Sequence, residues 1–380
     1  MIYADNAATT KISDSVFEKM LPFLREQYGN ASSRYLLGVK AKRAVEQARK
    51  QVAEAIGADA SEITFTSGGS ESNSWVLQSI AAIFSNEPSH IITSSIEHHS
   101  VLNTCRALEE RGIALTYLPV DSNGCVSVAD VESVIRPETK LVSVMVANNE
   151  IGTIQPVSEI GEHLRKRGIL FHTDAVQAVG HIPVDVHNLN VDFLTASAHK
   201  FNGAKGTGFV YIRSGLTLSQ IIFGGEQEHG KRAGTENVAG IVSLGYALEE
   251  NVINMADERE RLTILALATT EGLKTAIPNI RINAEEAGRL PGILNLTFPN
   301  ASGEAMMNLL DLKGICISTS SACNSGKDEP SHVLLALGMS EEKSKSSIRI
   351  SYGRYNTLQD ANDIVTAISK AYNIIVGAKK

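Results

Sequence analysis

Cysteine is scarce in this chain of 380 residues: four, at positions 105, 125, 316 and 323, with no CxxC pair and no Cys/His ligand spacing. So few thiols cannot staple a chain of this size, which excludes a disulfide scaffold and a zinc-ribbon type of domain. Two adjacent histidines, His98 and His99, have no matching third ligand nearby, so no metal centre is expected. No uninterrupted apolar run approaches the ~20 residues that cross a bilayer. The opening MIYADNAATT carries neither the charged region nor the apolar stretch of a signal peptide. A cytoplasmic setting without membrane contact is the expectation. Basic blocks are missing as well, and a formal net charge of -7 offers no surface for phosphate neutralisation, so nucleic acid is not an expected partner.

What the chain does have is apolar content, 43% of its residues, enough for a large α/β unit with a smaller one beside it. From about residue 61 to 213, short β-branched runs (ITFT, HIIT, ALTYLPV, LVSVMV, ILFHT, VDFLTA, GFVYI) alternate with amphipathic stretches such as VADVESVIR and VSEIGEHLRKRG. That alternation predicts a mainly parallel seven-stranded sheet wrapped by helices. Residues 236–277 read as largely helical, and beyond them strands (ILNLTF, ICIST, SIRISY) mix with helices in an α+β pattern. The expected division is a large domain over 15–255 and a small one made of 1–14 and 256–380.

Ligands of open parallel sheets settle at the carboxyl ends of the strands, which directs attention to the residues just past each one. ITFT runs into Ser67-Gly68-Gly69-Ser70-Glu71-Ser72-Asn73 before a helix; such a turn suits a phosphate, though an ordinary helix cap has the same composition. ILFHT ends on Asp174, either a helix cap or a carboxylate for a cofactor's ring nitrogen, followed by Gln177. VDFLTA delivers Ser197-Ala198-His199-Lys200 ahead of a Gly-rich stretch; an amine in a desolvated place of that kind can form a Schiff base, whereas a surface lysine would only be solvated. HIIT precedes Glu97-His98-His99, structural residues or an imidazole against an aromatic ring, and LVSVMV precedes Asn148-Asn149-Glu150-Ile151-Gly152, which as a turn needs no further role. Cys323 sits in Ser318-Thr319-Ser320-Ser321-Ala322-Cys323-Asn324-Ser325-Gly326, small polar surroundings that favour an exposed thiol over an inert buried one. Cys316 reads as core, and Cys105 and Cys125 have no chemical neighbours in sequence.

Taken in order, these segments, with Tyr3-Ala4-Asp5-Asn6-Ala7-Ala8-Thr9-Thr10 at the start, Arg232-Ala233-Gly234-Thr235 and Ser346-Ser347-Ile348-Arg349, resemble the NifS/IscS-type cysteine desulfurases of the class V aminotransferase group. The resemblance runs from residue 2 to about 375. It implies an α/β fold-type I enzyme dependent on pyridoxal 5'-phosphate (PLP), converting L-cysteine to L-alanine and passing sulfur through a persulfide to an acceptor such as an Fe–S scaffold or sulfur-carrier protein. By the same resemblance Lys200 binds the cofactor covalently and moves protons, His98 stacks on the ring, and Asp174 faces the ring nitrogen. Gln177 and Asn149 would meet the ring oxygen, Asn149 also bordering the substrate. Gly69, Ser70, Ser197 and His199 would hold the phosphate, and Arg349 the substrate carboxylate. Thr235 would reach the phosphate of a second subunit in a homodimer, and Cys323 would be the nucleophile.

The chain departs from the family pattern at Ala31 and Tyr35, at Glu226 and His229 within Gly224-Gly225-Glu226-Gln227-Glu228-His229, and at Ser320. None of these touches the lysine, the aspartate or the cysteine. Two other readings compete: selenocysteine lyase or another class V aminotransferase-type enzyme, against which Cys323 discriminates, and a catalytically silent homologue that binds a sulfur carrier.

Overall fold

The computed structural model describes residues 1–319 and 329–378; Cys323 and Ser320 lie outside the described residues. The chain opens with a short strand, β1 (Ile2–Tyr3), and two helices, α1 (Asp14–Arg25) and α2 (Leu36–Ile56). All seven expected strands follow: β2 (Ile63–Thr66), β3 (His90–Ser94), β4 (Ala114–Leu118), β5 (Thr139–Ser143), β6 (Leu170–Asp174), β7 (Phe193–Ser197) and β8 (Gly208–Ile212). Between them lie helices α3 (Gly69–Ile83), α4 (His99–Glu109), α5 (Val128–Val134) and α6 (Val157–Arg167). The strands form one sheet in the order β2-β8-β7-β6-β5-β3-β4. β8 pairs antiparallel with both β2 and β7, and the remaining pairs are parallel.

The central strands are buried along their length, which is why their sequences are continuous β-branched runs with no alternating polar face. Helix starts are written locally: Ser127 and Asp130 cap each other reciprocally at α5, and the His98 imidazole accepts the Ser100 N–H as the cap of α4. The turn from β2 into α3 depends on two glycines. Gly68 has φ of 150°, and a Cβ on Gly208 of β8 would lie 2.7 Å from the Gly68 Cα. Neither position accepts a side chain without moving backbone.

The stretch expected to be largely helical is two helices, α7 (Val238–Ile253) and α8 (Met255–Ala276), meeting at Asn254. After them come β9 (Arg281–Ile282), β10 (Ile293–Thr297), α9 (Gly303–Asp311), β11 (Ile315–Cys316), β12 (Ser318–Thr319), α10 (His332–Ala336), α11 (Glu341–Lys345), β13 (Ser347–Ser351) and α12 (Leu358–Gly377). The single expected strand ICIST is divided: β11 pairs parallel with β1, while β12 pairs antiparallel with β13 in the four-stranded sheet β12-β13-β10-β9. Its halves serve different partners, information that no local pattern carries. Helices α8, α9 and α12 cover the smaller sheet around a core that includes Leu296, Met306, Ile350 and Ile368. Among the described residues no helix is long and apolar enough to cross a membrane.

The segment between β8 and α7 has almost no regular structure and is fixed by charge. Arg49 of α2 forms a two-point pair with Glu228, Nη1 to Oε2 at 2.7 Å and Nη2 to Oε1 at 2.9 Å, and Glu228 also accepts the Phe65 N–H at 2.8 Å. Both side chains are almost fully buried. The pair holds Glu228 and His229 at positive φ (49° and 57°), a conformation non-glycine residues adopt only when their surroundings compel it. Glu228→Gln leaves the buried guanidinium with only the partly exposed Glu46, 3.3 Å from Nε, as counter-charge, and is expected to cost about 3 kcal/mol, measured as a loss of stability in urea.

Candidate active site

Because β2, β3, β5, β6 and β7 all run the same way, the residues after them gather along one edge of the sheet. There a cleft of about 430 Å³ opens, bordered across from the sheet by Asp5, Ala7, Ala8, Ser318 and Arg349. Gly69, Ser70, His98, Asn149, Asp174 and Gln177 line it, and so do Ser197, His199, Lys200 and Arg349. Thr235 does not: it is exposed on the segment that precedes α7. That segment is nevertheless tied to the mouth of the cleft. Arg232 binds Glu71 in the first turn of α3 through Nε at 2.9 Å and Nη2 at 3.2 Å, and Glu71 accepts the Ser67 N–H at 2.8 Å.

Asp174 ends β6 and is buried. Its Oδ1 accepts the Val176 N–H at 2.9 Å and its Oδ2 the Asn73 amide at 2.6 Å. The Lys200 ammonium donates to the carbonyls of Ala7 (2.6 Å) and Ala8 (2.8 Å), and the Gln177 amide donates to that same Ala7 oxygen at 2.9 Å. His181 supports the lysine from behind: its Nε2 donates to the Lys200 carbonyl at 2.9 Å, and burial holds its pKa low. His199, beside Thr9 at 3.1 Å, is pushed down to about 4 by burial and then by the charges of Lys200 and Lys205.

At the phosphate end of the expected site, α3 begins on Gly68, which has no side chain to cap it. The first-turn N–H groups therefore face the recess formed with Ser197, His199 and Lys205, and the helix dipole adds positive potential there. At the opposite end Arg349 is nearly fully buried. Its Nη2 meets Asp5 at 2.6 Å and its Nη1 the Asn149 carbonyl at 3.0 Å, while its buried Nε has no partner among the described residues. A guanidinium N–H left unpaired inside a protein is costly, and a carboxylate satisfies it.

Several residues of this site carry no distinctive sequence signal. Asn73 and Thr195 are buried polar residues within a helix and a strand, and Ser100 is one serine among many. Asp5 and Ala7 belong to an opening segment whose distance in sequence hides its place. Glu150 is fully buried, accepts the Ser331 hydroxyl at 2.5 Å and is raised by burial to about 7, against the lowering effect of Arg349. It connects the turn carrying Asn149 to the residues just past the Cys323 segment. The other thiols are poorly suited to nucleophilic work. Burial pushes Cys105 up to about 12 and also raises Cys125, while Cys316, expected in the core, is only half-buried.

The family model described as aminotransferase class-V matches residues 2–364. Curated relatives include a cysteine desulfurase IscS of Clostridium botulinum, 47% identical over 97% of this chain and 94% of that protein. One of Methanosarcina thermophila is 48% identical over 97% of this chain and 91% of its own length. Among solved structures, a NifS-like protein superposes with a TM-score of 0.92 at 39% identity, covering 97% of this chain and 98% of the other. A structure described as SspA in complex with cysteine gives 0.85 at 37% identity, covering 94% and 100%.

Glu97 offers a test of how burial acts on charge, since its carboxyl is fully buried and raised to about 8, chiefly by desolvation, with the Ser94 hydroxyl and Met145 N–H opposing. Its pKa in the folded protein stands above the ordinary 4.5, so between those values the folded form holds a proton the unfolded chain has lost. The stability this gives is complete below 4.5 and is lost as pH rises through about 8. Glu97→Gln cannot titrate, so its thermal midpoint should gain on that of the wild type as pH is raised across this window.

Proposed function

The chain belongs to the class-V aminotransferase family, and from that premise we infer that it is a cysteine desulfurase: a PLP-dependent enzyme that takes sulfur from L-cysteine and leaves L-alanine. The observation that carries the reading is the convergence, in one cleft, of Lys200, Asp174, His98 and Arg349 from four distant parts of the sequence. The cleft has the volume of a small-molecule site, ~300–1,000 Å³ being usual. An uncapped helix start lies at one end and an unmet guanidinium N–H at the other. A phosphorylated ring and an amino acid carboxylate fit those two ends.

PLP, when bound, supplies an electron sink that lets the Cα–H bond of an attached amino acid ionise. The protein's own groups do the rest. The first turn of α3 with Ser70, Ser197 and His199 would hold the phosphate, His199 as a neutral donor. Asp174, kept in place by Asn73 and the Val176 N–H, would hold a proton on the ring nitrogen. His98 would cover the ring face, and Gln177 and Asn149 would border its oxygen. Lys200 would bind the cofactor covalently in the resting enzyme and, once displaced by substrate, carry the Cα proton. Arg349 would take the substrate carboxylate through its unpaired Nε, with Asp5 fixing the guanidinium plane.

Sulfur then passes to Cys323. Its thiolate bonds to the substrate sulfur, the substrate C–S bond breaks, and the remaining carbon takes up a proton to become alanine. The persulfide so formed waits for an acceptor such as a sulfur-carrier or Fe–S scaffold protein. A hydroxyl cannot replace the thiol, because serine is un-ionised at neutral pH, whereas a thiol of pKa about 8.5 is partly ionised.

We place the chain in a homodimer. The Arg232–Glu71 pair supports this, since it anchors the segment bearing exposed Thr235 close to the phosphate recess, where a second subunit would share it. The two hydrophobic cores support the division into a large part, 15–255, and a small one, 1–14 with 256–380: Ala4 packs with residues 262–371 in the second core, while Ala7 and Ile293 of the small part reach into the first, where the two parts meet. A cytoplasmic location belongs to the same reading.

The experiment is to incubate the purified protein with L-cysteine and a reductant and to assay alanine and sulfide together. Equal yields of the two are expected. Lys200→Ala should lose the borohydride-reducible lysine adduct and turnover. Cys323→Ser should keep PLP but lose persulfide, mapped by mass spectrometry after alkylation. Persulfide on Cys105, Cys125 or Cys316 with undiminished alanine release from that variant would overturn the assignment of the nucleophile. Sedimentation at micromolar concentration should give a two-chain species, and an active, PLP-loaded monomer would refute the dimer.

A further inference from the structure

Asn73 lies in the second turn of α3 and is buried, yet both protons of its amide and its oxygen are engaged. Its Oδ1 accepts the Thr195 hydroxyl at 2.5 Å. Its two Nδ2 protons go to Asp174 Oδ2 at 2.6 Å and to Ser100 Oγ at 2.9 Å. The reverse orientation of the amide would set an acceptor oxygen against a carboxylate, so its direction is determined by charge.

That direction propagates. Ser100 Oγ accepts a hydrogen bond from Asn73 and keeps its own hydroxyl proton for His98 Nδ1, 2.8 Å away, a direction consistent with the second donor aimed at that nitrogen. His98 Nδ1 also receives the Ser100 backbone N–H at 3.1 Å. A ring nitrogen that accepts from two donors bears a lone pair, and the proton of the neutral imidazole is then on Nε2. Burial favours the neutral ring, as does the charge of Lys200, with Asp174 acting the other way.

We propose that Asn73 is a positioning residue of this site: one amide holds the Asp174 carboxylate and, through Ser100, fixes His98 in the tautomer that carries its proton on Nε2. His98 thus enters the chemistry as a donor from Nε2–H toward cofactor or substrate, and its basic nitrogen is sequestered in the cap of α4. Two groups expected to touch the same ring from different sides share one hydrogen-bond source, so neither can reorient alone. The chemical consequence rests on the desulfurase reading; the tautomer does not.

The test is 15N NMR of protein labelled at its ten histidines, with and without PLP, the His98 signals being assigned by their loss in His98→Gln. Wild type should show an unprotonated Nδ1 and a protonated Nε2 in both forms. Ser100→Ala removes the hydroxyl arm without touching Asp174 and leaves only the residue-100 N–H, at 3.1 Å, on Nδ1, and Asn73→Asp, with one proton at most to donate, cannot serve both partners. Each should draw the two His98 nitrogens part of the way toward an averaged shift. Ser100→Thr, which keeps the hydroxyl, should restore the wild-type spectrum. In turnover with L-cysteine, kcat should fall about tenfold in Ser100→Ala with KM little changed, the effect of roughly one lost hydrogen bond on a bound reacting state. A protonated Nδ1 in wild type, or wild-type His98 shifts in Ser100→Ala, overturns the proposal. Since Ser100 is only half-buried, its alanine variant is decisive even if Asn73→Asp does not fold. Because the spectrum is read without cofactor, absence of desulfurase activity would leave the tautomer result standing.

Discussion

A carboxylate buried at the end of a central strand has to be supplied with donors, and much of the cleft is arranged around that demand. Asp174 is almost wholly buried, and α3 delivers Asn73 to it while the turn after β6 delivers the Val176 N–H. Placing Asn73 fixes how α3 lies on the sheet, and that sets where the start of α3, with its uncapped N–H groups, opens. It also demands that Thr195, on the neighbouring strand, point its hydroxyl at Asn73 Oδ1. The polar requirement of one side chain thereby orients two strands and a helix, which are joined elsewhere by apolar packing that slides more readily.

A second organising element is the extended segment from Asp5 to Thr10. Its carbonyls at Ala7 and Ala8 receive the Lys200 ammonium, the Ala7 N–H donates to Ser351 Oγ at 2.9 Å, and Thr10 donates to the His199 carbonyl from both its N–H and its hydroxyl. Asp5 adds the carboxylate that pairs with Arg349. The segment thus touches the lysine on one side and the expected carboxylate-binding arginine on the other. Because its carbonyl oxygens are acceptors already oriented, they bring the lysine amine into the cleft without another buried charge.

The strands of the larger sheet were legible because burial on both faces writes continuous β-branched runs, and the cleft residues were legible because parallel strands place their carboxyl ends together. Lys200, Asp174 and His98 each follow directly from such an end. Arg349 could be named only through resemblance, since within β13 it reads as one polar residue in an apolar strand. Asn73 and Ser100 were invisible as a pair: they are 27 residues apart, on different helices, and their partnership exists only after α3 and α4 pack. The division of ICIST between two sheets escaped for a related reason, as strand propensity is local and pairing is not.

The placement of β1 has a consequence for the order of synthesis. Ile2 and Tyr3 pair with Ile315 and Cys316, and the Asn6 and Ala7 amides are met by Ser351, so these residues are anchored by residues made more than three hundred positions later. During translation, at ~5–20 residues per second, Thr10 can dock on His199 once β7 has emerged, while Ile2 to Ala7 still lack their partners in β11 and β13. The carbonyls that receive Lys200 are therefore held from the Gln177 and His199 side first and fixed from the β13 side only later. A nascent chain holds the lysine before it holds all of the lysine's surroundings, and completion of the site waits for β13 to emerge.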